Sequence, residues 1–384
     1  MSTALSVSRP PVATALGGLI AMAVGIGIGR FVYTPILPAM LAGLGLSKAA
    51  AGMIASANFA GYLVGAIGTA RLLSLPGSRR TWLLGALIVS ALTTAAMGLT
   101  TVLPAFLLLR FIGGAASALA LILASHLVLD HLTEAGRPGL AAVHFAGVGG
   151  GIAVSAVLVA VLLAAGASWQ VLWQASGMAS LLGVLAVVVL LPAGTEPPPA
   201  ARTTQRHRTD PRLRRLTFAY GLFGFGYVIT ATFLVAIVRA TPAIRALEPV
   251  IWVIVGLAAA PSVLLWDRLG HRLGIPTAYA IAAVAEALGV LASVVWPSAV
   301  GIFLAAVLVG GTFMGLTSLG LMRARELARN DAGQAMAAVT GAFGIGQIVG
   351  PLLAGILSDA LGGFTAPSIL AAGALVLAAW LVRD

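Results

Sequence analysis

The strongest constraint in this chain is that it repeats the same short phrases, each time 197 residues further on. Gly27-Ile28-Gly29-Arg30 recurs as Gly224-Phe225-Gly226-Tyr227, and Gly113-Gly114 as Gly310-Gly311. Gly147-Val148-Gly149 recurs as Gly344-Ile345-Gly346, and Arg71-Leu72 as Arg268-Leu269. One offset shared by four separate segments describes two copies of one unit in the same order. Each copy is too apolar for water, since 60% of the 384 residues are hydrophobic and 9% charged, against about 25% charged in a soluble domain. A duplicated unit this hydrophobic is the form expected of membrane transporters built from parallel repeats.

A helix needs about 20 apolar residues to cross a bilayer. Segments 12–41, 48–72, 81–99, 103–129, 138–165, 169–191, 213–239, 247–266, 275–296, 298–322, 333–357 and 365–382 meet that need. They predict twelve transmembrane helices in two six-helix bundles, an all-α membrane protein with a parallel pseudo-two-fold repeat. The bundles cover 1–192 and 213–384, joined by a polar linker, 193–212. The first apolar run is far too long for a signal-peptide core, so no cleaved leader is expected. With both termini on one side, that side collects seventeen of the 22 Lys and Arg, the far side only Lys48, Arg239 and Arg245, and Arg30 and Arg110 stay inside spans. This bias predicts cytoplasmic termini in a bacterial inner membrane. The net charge of +11 is therefore an orientation signal facing anionic lipid, not a nucleic-acid surface.

The absence of cysteine excludes disulfides, thiolate metal sites and cysteine nucleophiles. The five histidines show no metal-ligand spacing. No nucleophile, base and acid cluster together, and no phosphate-binding loop is present, so neither an enzyme nor an ATP-driven pump is expected, and no cofactor.

Several motifs carry a family resemblance. Asp267-Arg268-Leu269-Gly270-His271-Arg272 resembles the D-R-x-G-R-R cytoplasmic gate of the major facilitator superfamily, and Arg110-Phe-Ile-Gly-Gly114 its span-four R-x-x-x-G motif. The first copy of the gate keeps Arg71 but has Ala70 in place of the Asp. Gly346-Gln-Ile-Val-Gly350-Pro351 resembles the antiporter G-x-x-x-G-P motif, but in span eleven, while span five lacks the proline. Gly27-Ile-Gly29-Arg30-Phe-Val-Tyr33-Thr-Pro35 is similar to the span-one signature of YbfB/YjiJ-type transporters of that superfamily. The resemblance covers the whole chain. It implies the twelve-helix fold, alternating-access transport, and a gate at Arg71, Asp267, Arg268, Gly270 and Arg272.

Within spans, charge marks the site. An arginine in a span costs roughly 2.5 kcal/mol or more unless it meets water, a partner or a ligand. Arg30 lies about 25 Å from the cytoplasmic end of span one, and Arg110 about 10 Å in from the opposite side, so both sit at comparable depth. No carboxylate lies deep in the first half; the one deep acid, Glu286, is in span nine. A negative substrate would supply the missing charge, because guanidinium forks suit carboxylate, sulfonate or phosphate. The competing reading is that Arg30 and Arg110 bond backbone carbonyls and hold helices together.

Tyr33 shares the Arg30 face one turn on, and the 197 offset puts Tyr227 opposite Arg30 and Thr230 opposite Tyr33. Asn58 and Tyr62 share a face of span two, and Gln347 sits among the glycines of span eleven. Each is either a substrate contact or an interhelical bond. Arg110, His144 and Glu286 are the proton-coupling candidates. His126 lies 160° around span four from Arg110 and is expected to face away.

The expected function is a monomeric secondary transporter of a small organic anion, proton-coupled. A multidrug or lipophile efflux pump is the alternative, disfavoured by the lack of a deep carboxylate in the first half. A receptor or scaffold is disfavoured by the absence of long loops or a soluble domain.

Overall fold

Lipid leaves an apolar run no partner for its amides except its own carbonyls, so each run closes into a helix. The structure, a computed structural model, describes residues 10–72, 78–192, 210–328 and 332–383. Among the described residues there are thirteen helices: α1 (Pro11–Leu44), α2 (Lys48–Leu72), α3 (Arg79–Leu99), α4 (Leu103–Glu134), α5 (Pro138–Ala164), α6 (Trp169–Leu190), α7 (Pro211–Ala240), α8 (Pro242–Ala259), α9 (Ser262–Leu273), α10 (Ile275–Val295), α11 (Ala299–Leu327), α12 (Ala332–Ala360) and α13 (Thr365–Leu381). Eleven are long and apolar enough to cross a membrane. The shorter two are α9, with 12 residues, and α13, with 17.

Two departures from the sequence reading bear on the motifs and the linker. The segment expected as one span over 247–266 is split, because Pro261 lacks an amide proton and disfavours a helical residue before it. The Ser262 hydroxyl takes up the Ala259 carbonyl at 2.8 Å, and α9 restarts beyond. The Asp267–Arg272 motif is therefore helical rather than a loop. The linker also ends early: Asp210 caps α7 by accepting from the Arg212 amide at 2.8 Å, with Pro211 in the first turn. Residues 193–209 lie outside the described residues.

Helices α1–α6 pack on one another, as do α7–α13, and the two sets meet along α2 against α12, α5 against α8, and α1 against α7. The α2–α12 seam is a backbone contact: a methyl group on Gly52 would fall 2.2 Å from the Pro351 carbonyl oxygen. Ser56 donates across it to the Ile348 carbonyl at 2.6 Å. Where α2 begins and α12 ends, the Asp359 carboxylate accepts from the amides of Lys48 and Ala49 at 3.1 and 2.8 Å, and Lys48 Nζ donates to the Ser358 carbonyl. An acidic group on a helix N-terminus is favourable for both hydrogen bonding and dipole. That end is tied shut. Toward the other end the two sets part around a cavity.

Candidate functional site

The cavity is built from a defect in α1. Ala23–Ile28 is wound as a π-helix, with the Gly29 amide bonded to the Val24 carbonyl at 3.0 Å. Glycines at 25, 27 and 29 lower the preference for a regular helix. Pro35 has no amide for the Phe31 carbonyl, which receives the Thr34 amide instead, at 3.2 Å. The Arg30 carbonyl is left open by this shift, and Arg110 of α4 fills the gap. Its Nη2 donates to Arg30 O and its Nη1 to Gly29 O, both at 3.0 Å.

The Arg30 side chain lies on the wall of a cavity of about 510 Å³ between the two sets of helices. Its guanidinium carbon stands 4.1 Å from the Tyr62 ring centroid and 5.0 Å from that of Phe59, close enough for cation–π attraction. Arg30 is buried, and its Nε and Nη2 donate to nothing among the described residues. The ion pairs found there, Arg79–Asp130, Arg239–Glu248, His271–Asp267 and Arg323–Glu326, do not include it.

Across the cavity stands Tyr227 of α7, at the position the 197 offset pairs with Arg30. Its ring is stacked between Phe313 and Phe343, each 5.8 Å away and nearly parallel. Its hydroxyl is in a short hydrogen bond with Gln347 Nε2. Phe31, Phe145, Met314 and Thr317 complete the inner walls, while Asp130 and Arg325 lie near the mouth. Asp130 is paired with Arg79 at 3.5 Å, and Arg325 Nε contacts Met336 Sδ. A buried cation facing aromatic rings, in a pocket open at one end, can hold an anion with an apolar body.

A family model described as "Uncharacterised MFS-type transporter YbfB" matches residues 22–383. The chain belongs to this family. No curated protein matches it significantly. Among solved structures, a point mutant of the nucleoside transporter NupG superposes with a TM-score of 0.76 at 16% identity, over 96% of this chain and 98% of the other. A bacterial homolog of the human lysosomal transporter Spinster, inward-facing and occupied, gives 0.70 at 14% identity over 97% and 95%. A D-xylose–proton symporter gives 0.71 at 15% over 97% and 96%. At such identities these likenesses speak for the fold alone. The protein is thus a transporter of the major facilitator type, not an enzyme.

Of the site candidates in this MFS transporter, Arg30, Tyr62 and Tyr227 line the cavity; the other described candidates do not. Arg110 is buried with its guanidinium on the α1 carbonyls. Tyr33 is buried and donates to the Ala51 carbonyl at 2.8 Å; Asn58 donates to the Arg110 carbonyl at 3.0 Å. Thr230 is fully buried, and Gln347 reaches the cavity only through Tyr227. His144 is buried one residue behind the wall, 3.2 Å from the hydroxyl of Ser125, which lines the cavity. Glu286 is buried beside Thr312, whose hydroxyl already donates to the Leu308 carbonyl. In the gate motif, Arg268 and Arg272 are exposed, Asp267 pairs with His271, and Gly270 packs on Leu319. The Arg71 side chain lies outside the described residues.

His126 lines the cavity, against expectation. It does face away from Arg110, but Arg110 faces α1 rather than the cavity, so the same rotation turns His126 inward. Phe313 and Phe343 were not singled out either, because a phenylalanine in a span has the same sequence signature whether it meets lipid, a neighbouring helix or a ligand.

Proposed function

We propose that this protein is a secondary active transporter of a small organic anion, working by alternating access between two six-helix halves, α1–α6 and α7–α13. The observation that carries the reading is Arg30: a buried guanidinium on the cavity wall with two nitrogens unengaged and, among the described residues, no carboxylate paired with it. Binding an anion there satisfies the charge that lipid and protein leave bare. The arginine bias places the termini in the cytoplasm of a bacterial inner membrane, so the cavity, which opens where α4 and α11 end, faces inward. The protein acts as a monomer with lipid around it.

Proton coupling fits His144, a buried polar side chain that touches the cavity through Ser125. Arg110 is committed to carbonyls, and Glu286 lies off the cavity wall. The test is uptake into proteoliposomes of a panel of carboxylates, sugars, nucleosides and lipophilic cations, with a pH gradient imposed and then collapsed. Gradient-dependent uptake of a carboxylate supports the reading; transport of lipophilic cations alone replaces it with efflux.

A further inference from the structure

We propose that the cargo of the Arg30 cavity is a flat aromatic monocarboxylate. This rests on the anion reading above and narrows it. Three observations carry it. First, among the described residues the inner cavity offers one guanidinium, that of Arg30: Arg325 stands near the mouth, on Met336, and His126 lies toward the same end. A single deep guanidinium matches a single negative charge. Second, rings make up a large share of the walls, among aliphatic side chains such as Ile26, Leu121 and Met314. Phe31, Tyr62, Tyr227, Phe313 and Phe343 line the cavity, and Tyr227 is already stacked between two of them. Such walls favour another ring, by offset or edge-on packing, over a saturated chain of equal size. Third, the hydrogen-bonding side chains of the interior are few and mostly engaged. Tyr227 is engaged by Gln347, Ser125 by His144, and the Thr317 hydroxyl donates back to the Phe313 carbonyl at 2.8 Å. A sugar or a ribose would bury several hydroxyls with few partners beyond Tyr62. The volume, about 510 Å³, is that of an ordinary small-ligand site of roughly 300–1,000 Å³.

The experiment separates charge from flatness. Binding to the purified full-length protein is measured by isothermal titration for benzoate, benzamide, cyclohexanecarboxylate, uridine and xylose. Benzoate is expected to bind best. Benzamide, neutral and equally flat, is expected to bind at least about tenfold more weakly. Cyclohexanecarboxylate, equally charged but puckered, is expected to bind about two- to tenfold more weakly. Phe313→Leu and Phe343→Leu, each checked for folding by thermal unfolding, are expected to erase the benzoate-over-cyclohexanecarboxylate preference and keep the benzoate-over-benzamide one. If cyclohexanecarboxylate equals benzoate, the aromatic proposal falls and the anion reading stands. If benzamide equals benzoate, the anion reading falls with it. Binding of uridine or xylose with no benzoate binding at millimolar concentration overturns both, and the absence of any benzoate binding overturns the aromatic proposal.

Discussion

The hydroxyl of Thr34 donates to the carbonyl of Ala231 at 2.6 Å, and the two residues are 197 positions apart. That is the offset at which the glycine phrases recur, so Thr34 touches its own copy in the second half of the chain. That contact is what a two-fold relation between the halves would give where α1 meets α7. In alternating access, such a contact closes one end and must break when that end opens. Thr34→Val removes the donor at nearly constant volume. The expected loss is about 0.6–1.7 kcal/mol, as for interhelical hydrogen bonds in membranes. Because the chain has no cysteine, a thiol placed at Val235 by Val235→Cys reports opening without background. Thiol labelling at that site should speed up in the Thr34→Val protein; an unchanged rate means the bond is not part of the closed end.

Arg30 should be irreplaceable, even by lysine. A guanidinium fork holds a carboxylate through two N–H groups and stacks on Tyr62, whereas an ammonium keeps the charge and loses both geometries. Arg30→Ala and Arg30→Lys are each expected to cut proteoliposome uptake at least about tenfold with thermal stability near that of the parent. Near-normal uptake by folded Arg30→Ala sinks the substrate role. A fully active Arg30→Lys reduces that role to positive potential.

Arg110 should behave in the opposite way. Its two donors cap the Gly29 and Arg30 carbonyls that the π-wound segment and Pro35 leave open. Arg110→Lys cannot reach both, and a buried carbonyl without a donor costs about 1–3 kcal/mol. The variant should melt earlier by that amount while uptake per folded molecule, measured at a temperature below its transition, falls less than in Arg30→Lys. A stable Arg110→Lys protein that binds benzoate poorly contradicts this division of labour.

The two arginines show what the sequence discloses and where it stops. Both are legible as functional or structural necessities, since a charge in a span needs a reason. The difference between them is not legible, because it depends on the rotation of α4 against α1 and on the carbonyls that the π-wound segment and Pro35 leave open. Tyr227 was found through the repeat, since an offset carries position across copies without knowledge of packing. The same offset led to Thr230, which is buried away from the cavity, because a repeat preserves the helix path better than the exposure of each face. The extension of α9 through Asp267–Arg272 is not legible either, as charged residues in a short helix read as a loop.

Glycines at helix seams make the last test, on a single helix. Gly61 and Gly68 both lie in α2, seven residues apart. A methyl on Gly61 would fall 1.9 Å from the Phe111 carbonyl oxygen of α4, a backbone atom that cannot swing aside, whereas nothing stands within 4 Å of one on Gly68. Gly61→Ala must therefore separate α2 from α4, and with them the Tyr62 and Arg110 supports of the Arg30 pocket. Overpacking of this kind costs typically about 1–3 kcal/mol, more where the backbone must move. Gly68→Ala should be neutral or stabilising by up to about 1 kcal/mol, as alanine is the better helix former. The comparison is thermal unfolding of the two purified proteins, alongside the folded fraction after membrane extraction. Equal melting temperatures refute the close α2–α4 contact, and with it the placement of Tyr62 against Arg30.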